Sequence, residues 1–446
     1  MNCKLLYEDN HIIVAVKPAN CPVQGDSSGD KDMLTLLKDY IKVKYNKPGN
    51  VYLGLVHRLD RPVGGVMVFA RTSKAASRLT ESFKKHTTEK RYAAVVSGKA
   101  KLRDSLECYM KKDEVTFSSH ICDKNESGAK QAKLGYTRVS VKNSLSLLDI
   151  SLETGRHHQI RVQLAGEGMP IYGDHRYNRA FIEDNSCDIA LFAYALSIEH
   201  PITHEIMRFS VAPQGGVWDL FGQELACMRE NALPVYIDEN IAVFDKERGV
   251  SVAAADGGSD TLEERAGRAL SCAKPVHRID ATTEGLVMLA RNDAAYNELT
   301  SAFSRKDGEY IHKLYTCSVL GHMPKKTATL HAYLKKDGEG SFVRVYDTPT
   351  SGAKEIITEY TCISEKYRDG VCISELEVHL ITGRTHQIRA HLAHIGHPLL
   401  GDDKYGDRDI NKKLHAKNVA LRSSRLTFDF PEGSLLRYLN GTVIGD

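Results

Sequence analysis

The stretch that decides the fold is HRLDRPVGGVMVFAR at residues 57–71, which recurs as HRIDATTEGLVMLAR at residues 277–291. The offset is 277 − 57 = 220 residues. In both strings a His-Arg-x-Asp tetrapeptide precedes a glycine-containing turn and then an apolar run, a pattern that predicts a buried β-strand. A single recurrence of this kind proves little, so the order of other repeated strings decides whether the chain contains a true repeat.

Further strings recur in matching pairs and in the same order along the chain. The pairs are Lys90-Arg91-Tyr92 with Lys313-Leu314-Tyr315, TGRHHQIR at 154–161 with TGRTHQIR at 382–389, and Gly173-Asp174 with Gly401-Asp402. Because the order is kept across most of the chain, the sequence predicts one domain that has been duplicated.

The repeat changes the expected number of domains. A length of 446 residues alone would suggest roughly three domains. A repeat of about 220 residues is far longer than a solenoid repeat, so each copy is expected to have its own core. The first copy ends in a short amphipathic pattern at residues 217–231. We therefore predict two domains, at residues 1–230 and 231–446. The sequence leaves open whether they pack as an intramolecular pseudo-dimer.

Composition indicates an ordinary globular protein, with 42% apolar and 26% charged residues. The 60 basic and 57 acidic residues give a formal net charge of +3, so any contact with nucleic acid must come from local patches. No apolar run reaches the roughly 18 residues that a membrane helix needs, and Glu8 and Asp9 interrupt the amino-terminal segment before a signal-peptide core forms. We therefore expect a cytoplasmic protein with no membrane partner.

Cysteine and histidine spacing gives no metal-binding motif. The ten cysteines are scattered, and no two have the spacing of a zinc knuckle, so reduced thiols are expected. The second copy has three histidines within residues 391–397, whereas the first copy has Gln163, Gly166 and Met169 at the matching positions. We therefore expect no metal.

Within each copy, strand-like patterns dominate. Residues 64–70 and 145–152 predict buried strands, and residues 32–45 and 73–85 show helical periodicity. Regular alternation of strands and helices, which would indicate βαβ units, is missing from the pattern. We predict an α+β fold with a mixed, largely antiparallel sheet and flanking helices, present twice.

The repeated strings are rich in side chains suited to catalysis. Asp60 and Asp280 follow an arginine by two residues and could serve as nucleophile, general base or turn cap. The TGR-x-HQIR octet is dense in hydrogen-bond donors, and we expect it to be helical from the glycine onward, forming an anion site or a solvated basic face. Tyr92 and Tyr315 occupy strand patterns in which tyrosine is usually a packing residue, but their order between the other strings favours a site.

Together, these strings resemble the RluA-like pseudouridine synthase family, which modifies large-subunit ribosomal RNA and transfer RNA. The hallmarks of the family are HRLD-x-x-x-x-G, a Lys-x-Tyr strand, TGR-x-HQ-[IL]-R and GD-x-x-Y. Both copies contain all of them, the last as GDHRY at 173–177 and GDDKY at 401–405. The resemblance covers nearly the whole chain.

The resemblance implies an isomerase of ribosomal or transfer RNA, with the same sheet-and-helix fold and a cleft that takes a flipped uridine. The reaction involves no redox change or phosphoryl transfer, so no cofactor is expected. By this resemblance Asp60 and Asp280 are the nucleophiles, and Arg161 and Arg389 pair with them. Tyr92 and Tyr315 contact the uracil ring, and Ile160 and Ile388 pack beside the base. Arg58 and Arg278 fill the gap in the RNA stack, and His57 and His277 make further contacts with the substrate.

The copies depart from the family pattern in different places. The first has RPVGG at residues 61–65, His157 and Gln163, and the second has Glu284. Since the aspartate, tyrosine and final arginine are kept, both sites are expected to be competent. The alternatives are one catalytic copy beside a non-catalytic RNA-binding module, and an N-glycosidase that releases uracil. Whether the aspartate attacks the ribose or removes a proton from it stays open.

Overall fold

The computed structural model describes residues 3–26, 28–183, 186–254, 259–304, 310–337 and 342–445. The chain divides into two compact units, residues 1–229 (unit 1) and residues 230–446 (unit 2). Each unit has its own sheet and its own cluster of buried apolar side chains.

Unit 1 is built on an 11-stranded sheet. Its strands are β1 (Lys4–Glu8), β2 (Ile12–Lys17), β3 (Gly54–Leu55), β4 (Gly64–Ala70), β5 (Glu89–Ser97), β6 (Arg103–Asp113), β7 (Ser118–Cys122), β8 (Lys130–Lys142), β9 (Leu145–Leu152), β10 (Leu191–Glu199) and β11 (Ile206–Ser210). Its helices are α1 (Met33–Lys44), α2 (Ser73–Lys84), α3 (Gln159–Gly166) and α4 (Gly222–Arg229), with short 3-10 helices at Arg179–Phe181 and Gly216–Phe221. The strand order is β1-β2-β4-β10-β5-β9-β8-β6-β7, with β3 beside β4 and β11 beside β10.

Unit 2 has a sheet of the same size and the same order. Its strands are β12 (Leu233–Ile237), β13 (Ile241–Lys246), β14 (Lys274–Pro275), β15 (Glu284–Ala290), β16 (Ile311–Leu320), β17 (Thr327–Lys336), β18 (Val343–Tyr346), β19 (Lys354–Arg368), β20 (Val371–Leu380), β21 (Leu421–Phe428) and β22 (Val443–Gly445). Its helices are α5 (Leu262–Ala269), α6 (Asp293–Ser304), α7 (Gln387–His394) and α8 (Arg408–Lys413), with a 3-10 helix at Arg437–Leu439. The order is β12-β13-β15-β21-β16-β20-β19-β17-β18, with β14 beside β15 and β22 beside β21.

The two sheets match strand for strand along their main paths. Central strands β4 and β10 pair in parallel in unit 1, as do β15 and β21 in unit 2, whereas neighbours such as β2 and β4 or β5 and β9 pair antiparallel. The predicted α+β class, with its mixed and largely antiparallel sheet, is confirmed, and so is the duplication.

Local signals explain where the first two helices begin. The Asp32 side chain accepts the Thr35 N–H ahead of α1, and the Thr72 hydroxyl accepts the Ala75 N–H ahead of α2, so each caps an otherwise unpaired backbone donor. Both helices agree closely with the predicted ranges. Of the helices in the described part of the chain, none combines the length and apolar character that crossing a membrane requires.

The prediction of a helix running from the glycine of the TGR-x-HQIR octet was wrong. In unit 1 the helix begins only at Gln159, because His158 has a left-handed backbone with φ of 54°. The Gln159 side chain stabilises the non-helical conformation of the preceding loop, since its Oε1 accepts the Arg156 N–H at 2.9 Å and the Thr154 hydroxyl at 2.8 Å. Residues 154–158 therefore form a loop, and unit 2 repeats this geometry.

A glycine permits the close parallel contact in the centre of each sheet. Gly285 has φ of +109°, and a Cβ atom added there would lie 2.2 Å from the Ser423 carbonyl oxygen of β21. Gly65 in unit 1 has φ of +141°, and its added Cβ would lie 2.4 Å from the Ala193 carbonyl oxygen. Any side chain at these positions would push the two central strands apart.

We expect Gly285→Ala to lower the free energy of unfolding by about 4 kcal/mol or more, because it combines backbone strain with a clash against main chain. The matched control is Gly370→Ala, where φ is +77° but no atom lies within 4 Å of the added Cβ. Strain alone should make that loss about 1–2 kcal/mol. Urea denaturation of both variants measures the difference, and equal losses would contradict the steric argument.

Candidate active sites

The two repeated aspartates occupy the same place in each unit. Asp60 follows β3 and begins a turn in which the Val63 N–H donates to the Asp60 carbonyl at 3.1 Å, just before β4. Asp280 begins the matching turn, in which the Thr283 N–H donates to its carbonyl at 3.0 Å. The two carboxylate side chains are 25% and 24% exposed, so each is open on one side only. Because burial disfavours the charged form, the pKa of Asp60 is raised above its ordinary value.

A buried arginine–aspartate pair lies beside Asp60. Arg161 Nε and Nη2 donate to the two carboxylate oxygens of Asp174 at 2.9 and 2.7 Å, which is bidentate geometry. The remaining nitrogen, Nη1, faces Asp60 Oδ2 at 3.6 Å. Burial alone would raise the pKa of Asp174, but the hydrogen bonds and charge of Arg161 hold this pKa below its ordinary value. Asp174 therefore fixes the guanidinium of Arg161 beside Asp60, and the charge of Arg161 opposes the effect of burial on the pKa of Asp60.

Unit 2 repeats the arrangement, with a shorter distance between the arginine and the repeated aspartate. Arg389 Nε and Nη2 donate to Asp402 at 2.7 and 2.8 Å, and Nη1 donates to Asp280 Oδ2 at 3.2 Å. The same Nη1 lies 3.4 Å from Thr282 Oγ1. Pro62 stands at the corresponding position of unit 1 and has no hydroxyl to offer. The arginine of unit 2 therefore has one more acceptor near its free nitrogen.

A histidine–tyrosine pair completes the polar wall in unit 1. The Tyr177 hydroxyl accepts the Ser119 N–H at 2.8 Å and lies 2.8 Å from His158 Nδ1. If the Tyr177 hydroxyl donates its proton to His158 Nδ1, the proton of the neutral imidazole is on Nε2. This nitrogen lies 3.8 Å from Asp60 Oδ2. The pKa of His158 is lowered to about 3, first by burial and then by the charge of Arg161. The imidazole is therefore neutral near pH 7.

The matching residues in unit 2 are His386 and Tyr405. His386 Nδ1 lies 2.7 Å from the Tyr405 hydroxyl, and Nε2 lies 3.5 Å from Asp280 Oδ2. Burial lowers the pKa of His386, although the charge of Asp280 acts in the opposite direction. In both units, then, the aspartate faces one arginine nitrogen and one imidazole nitrogen.

The predicted tyrosines lie in the central strands next to the aspartates. Tyr92 in β5 and Tyr315 in β16 are 9% and 6% exposed. Burial raises the pKa of Tyr315 to about 12 and that of Tyr92 further, and the charge of the neighbouring aspartate adds to both effects. Each phenol is therefore protonated. Ile160 and Ile388 are buried in the first turn of α3 and α7, directly before the site arginines.

The remaining predicted residues lie two and three positions before Asp60 and Asp280 in the sequence. Arg58 and Arg278 are exposed in the loops that carry the aspartates. His57 is turned into the fold, where its Nε2 accepts the Val68 N–H at 3.1 Å and its ring stacks on Phe83 with centroids 4.7 Å apart. His277 makes the same two contacts in unit 2. These histidines join the aspartate loop to strands β4 and β15, and their predicted contact with substrate stays a prediction.

A buried lysine is hydrogen-bonded to each aspartate loop. Lys17 is 0% exposed, and its Nζ donates to three backbone carbonyls, including that of Arg61 at 2.8 Å. Lys246 does the same in unit 2, with the Ala281 carbonyl at 3.3 Å. Burial lowers the pKa of both amines to about 8. Since Arg61 and Ala281 directly follow the aspartates, these lysines fix the main chain at Asp60 and Asp280.

Unit 1 has an additional imidazole near its aspartate. The His157 ring stacks on that of His158 with centroids 3.8 Å apart, and its Nδ1 lies 3.0 Å from Ser119 Oγ. Thr385 takes this position in unit 2. Burial lowers the pKa of His157, while the Asp60 charge opposes that effect. The walls of the two sites therefore differ in shape and hydrogen-bonding capacity.

Several residues of these sites were not predicted from the sequence. In unit 1 they are Lys17, His158, Asp174 and Tyr177. Three of the four lay in strings that repeat, so repetition itself was the available signal. Lys17 ends the segment of residues 7–17, which resembles residues 236–246, but nothing in its local sequence distinguishes a buried lysine from an exposed one.

Comparison with known proteins gives a consistent result. A family model described as RNA pseudouridylate synthase matches residues 11–166 and, again, residues 240–394, together more than half of the chain. Ribosomal large subunit pseudouridine synthase D of Nitrosomonas europaea is 30% identical over 212 residues, covering 46% of this chain and 60% of that protein. Ribosomal large subunit pseudouridine synthase C of Vibrio cholerae is 31% identical over 236 residues, covering 49% and 68%. The chain thus spans less than two thirds of the first relative's length.

Among solved structures, human RNA pseudouridylate synthase domain containing 4 is similar with a TM-score of 0.42 and 22% identity. That similarity covers 49% of this chain and 91% of the human one.

We expect Asp174→Asn to lower the free energy of unfolding of unit 1 by about 3–5 kcal/mol, because it leaves the buried Arg161 charge without its partner. Trp218 is the only tryptophan, is 9% exposed and lies in unit 1, so its fluorescence during urea denaturation measures this loss. The control is Asp39→Asn on the exposed side of α1, which should change stability by less than about 0.5 kcal/mol. Equal values for the two variants would contradict the pairing.

Proposed function

Because the chain belongs to the RNA pseudouridylate synthase family, we propose that it isomerises uridine to pseudouridine in RNA, with one site in each of two domains, residues 1–230 and 231–446. One observation carries the proposal: the Asp60–Arg161–Asp174 arrangement recurs as Asp280–Arg389–Asp402. A partly exposed carboxylate facing a buried, paired guanidinium suits a site that must keep the carboxylate ionised in a partly dry pocket.

The chemistry fits a carboxylate enzyme without a cofactor. Isomerisation breaks the bond between uracil N1 and ribose C1′ and forms a bond from C5 to C1′, while C5 loses a proton and N1 gains one. Asp60 and Asp280 act on the ribose, either by attack or by proton removal. Electrons and atoms balance within the substrate and water, so no redox group enters the reaction.

In unit 1 the arginine places its charge beside the aspartate without forming a hydrogen bond to it. Arg161 directs two donors to Asp174 and leaves one facing Asp60 at 3.6 Å, which is longer than a hydrogen bond. Its charge favours the ionised form of Asp60, and the carboxylate oxygens remain open to substrate. In unit 2 the contact is closer, because Arg389 Nη1 donates to Asp280 Oδ2 at 3.2 Å, and we assign Arg389 the role of orienting this carboxylate.

Tyr92 and Tyr315 would supply a packing face for uracil and a hydroxyl at the ring. Because both phenols stay protonated, they are suited to donate a proton or hydrogen bond and poorly suited to act as bases. Ile160 and Ile388 would add apolar contact beside the base.

A uracil stacked in RNA must be extruded to reach these sites, at a cost of a few kcal/mol. Arg58 and Arg278 are exposed two residues before the aspartates, where a guanidinium could fill the vacated stack. The two relatives described above are named for the ribosomal large subunit, which favours ribosomal over transfer RNA as the substrate.

A second candidate function keeps catalysis in unit 2 alone, with unit 1 binding RNA. It is favoured by the longer arginine–aspartate distance in unit 1, 3.6 Å against 3.2 Å, and by Pro62 in place of Thr282. If only one site is active, these differences identify it as the site of Asp280.

Release of tritium from RNA labelled at uracil C5 separates these functions. We expect Asp60→Asn and Asp280→Asn each to abolish one part of the release, and the double variant to lose at least about a thousandfold. The control is RNA binding by the double variant. We expect this binding to be unchanged, because asparagine is nearly the same size as aspartate and the other contacts with RNA remain.

Three outcomes would overturn parts of this proposal. Release that survives in the double variant would remove both aspartates from the mechanism. Free uracil in the medium would indicate an N-glycosidase. Loss of all release in Asp280→Asn alone would support the single-site alternative.

The pH dependence of the Asp280→Asn variant isolates Asp60. Asp60 must be ionised to act, and burial raises its pKa, so activity should fall with decreasing pH at a value above the ordinary 3.9 or so of aspartate. His158, with a pKa of about 3, is neutral over that range. His158→Gln should therefore leave unchanged the pH at which activity falls on the acid side, which is the acid limb of the profile. Trp218 fluorescence at each pH controls for unfolding. A limb that moves with His158→Gln would assign the titration to the imidazole.

A further inference from the structure

A second cluster of reactive side chains lies in unit 2, outside the repeated strings. His322 Nδ1 is 2.8 Å from Glu365 Oε2 and 3.5 Å from Cys372 Sγ. One ligand-type atom from each residue lies within 4.8 Å of the other two. His322 and Glu365 are exposed, whereas Cys372 is 8% exposed and has a free thiol. The cluster therefore has one buried soft donor and two accessible harder ones.

The main chain brings these residues together. The strand order places β20 between β16 and β19. Gly321, directly after β16, donates its N–H to the Cys372 carbonyl at 2.9 Å, and its own carbonyl accepts the Ser374 hydroxyl at 2.7 Å. Glu365 in β19 is the register partner of Ser374 in β20. The backbone thus fixes the three donor positions in the folded state, which reduces the ordering needed to bind a ligand.

Outer contacts orient the donors. His322 Nε2 lies 2.7 Å from the Tyr367 hydroxyl, which leaves Nδ1 directed toward Glu365 and Cys372. Glu365 Oε1 accepts the Met323 N–H at 3.2 Å and lies 3.2 Å from the Ser374 hydroxyl oxygen, which leaves Oε2 for the cluster. Histidines that bind metals usually make such a second contact through the other ring nitrogen, and ligating carboxylates are likewise hydrogen-bonded.

Unit 1 has the same backbone frame without the donors. There Gly98 donates its N–H to the Ser144 carbonyl at 2.8 Å and accepts the Ser146 hydroxyl at 2.6 Å. The register partner of Ser146 is Val141. By this correspondence Lys99, Val141 and Ser144 stand where unit 2 has His322, Glu365 and Cys372. The fold does not need the three donors, so their presence together in unit 2 calls for another reason.

We propose that His322, Glu365 and Cys372 form a binding site for a divalent metal ion of the zinc class. Zinc bonds of about 2.3 Å to sulfur and 2.0 Å to nitrogen at a tetrahedral angle put the two ligand atoms about 3.5 Å apart. The observed separation of Cys372 Sγ and His322 Nδ1 is 3.5 Å. The 2.8 Å between His322 and Glu365 would widen to about 3.3 Å as the metal replaces the hydrogen between them.

The donor set also selects among metals. A thiolate with an imidazole favours zinc and its neighbours over magnesium or calcium, which prefer oxygen ligands. A water molecule would take the fourth position, since the site opens to solvent at His322 and Glu365. The bound ion would join the end of β16 to the β19–β20 hairpin. This site is independent of the proposed isomerase activity.

Cobalt substitution tests the proposal on the full chain. Chelator-treated protein titrated with Co²⁺ should develop a thiolate-to-cobalt charge-transfer band that saturates at one ion per chain and disappears when Zn²⁺ is added, because zinc binds such sites more tightly. Cys372→Ser should abolish the band, and His322→Gln should weaken Co²⁺ binding at least about tenfold. Cys122→Ser, which removes a partly exposed thiol from unit 1, should leave the titration unchanged.

Folding does not confound this test, because unit 1 already has serine at the position that matches Cys372. Tyr367→Phe, which removes only the outer contact to His322, should weaken binding about 10–100-fold while the charge-transfer band persists. Absence of the band in the wild-type protein, or its survival in Cys372→Ser, would overturn the proposal and identify His322 and Glu365 as an ordinary surface ion pair.

Discussion

A guanidinium that is removed from water must have its donors and its charge satisfied, and this constraint organises both sites. Arg161 is 6% exposed and Arg389 is 5% exposed. Each uses two nitrogens on a fully buried aspartate, so its orientation is fixed and only one nitrogen remains. The repeated aspartate lies opposite that nitrogen in both units. The starts of α3 and α7, the loops before them and the buried lysines all help to keep the arginine and the repeated aspartate of each unit in place.

Sequence patterns predicted the architecture well because they record burial. The apolar runs at residues 64–70 and 145–152 are the strands β4 and β9, and the repeated order of strings predicted two sheets of one kind. The start of α3 was predicted wrongly, because it depends on a left-handed residue, His158, and on side-chain acceptors of Gln159. Neither feature produces a periodic signal in the chain.

The sequence identified the site residues only where the type of side chain itself indicates a chemical role. Asp60 and Arg161 carry charge in a repeated string, and the structure brings them to 3.6 Å. Asp174 and Lys17 carry charge as well, but their roles follow from being fully buried. Burial of a charged group depends on contacts distant in sequence, with Lys17 bonded to the Arg61 carbonyl 44 residues away. Such contacts cannot be inferred from local spacing.

The central position of β10 constrains how the chain is made. β10 lies between β4 and β5 in the sheet, although both are synthesised well before it. Until residue 199 has left the ribosome, the position of β10 in the sheet of unit 1, here called its slot, is therefore unfilled. In unit 2, β21 fills the equivalent slot, and the two strands are candidates for exchange during refolding from denaturant, when both are present at once. During synthesis β10 is complete more than 200 residues before β21, so we expect it to pair with β4 and β5 before β21 exists.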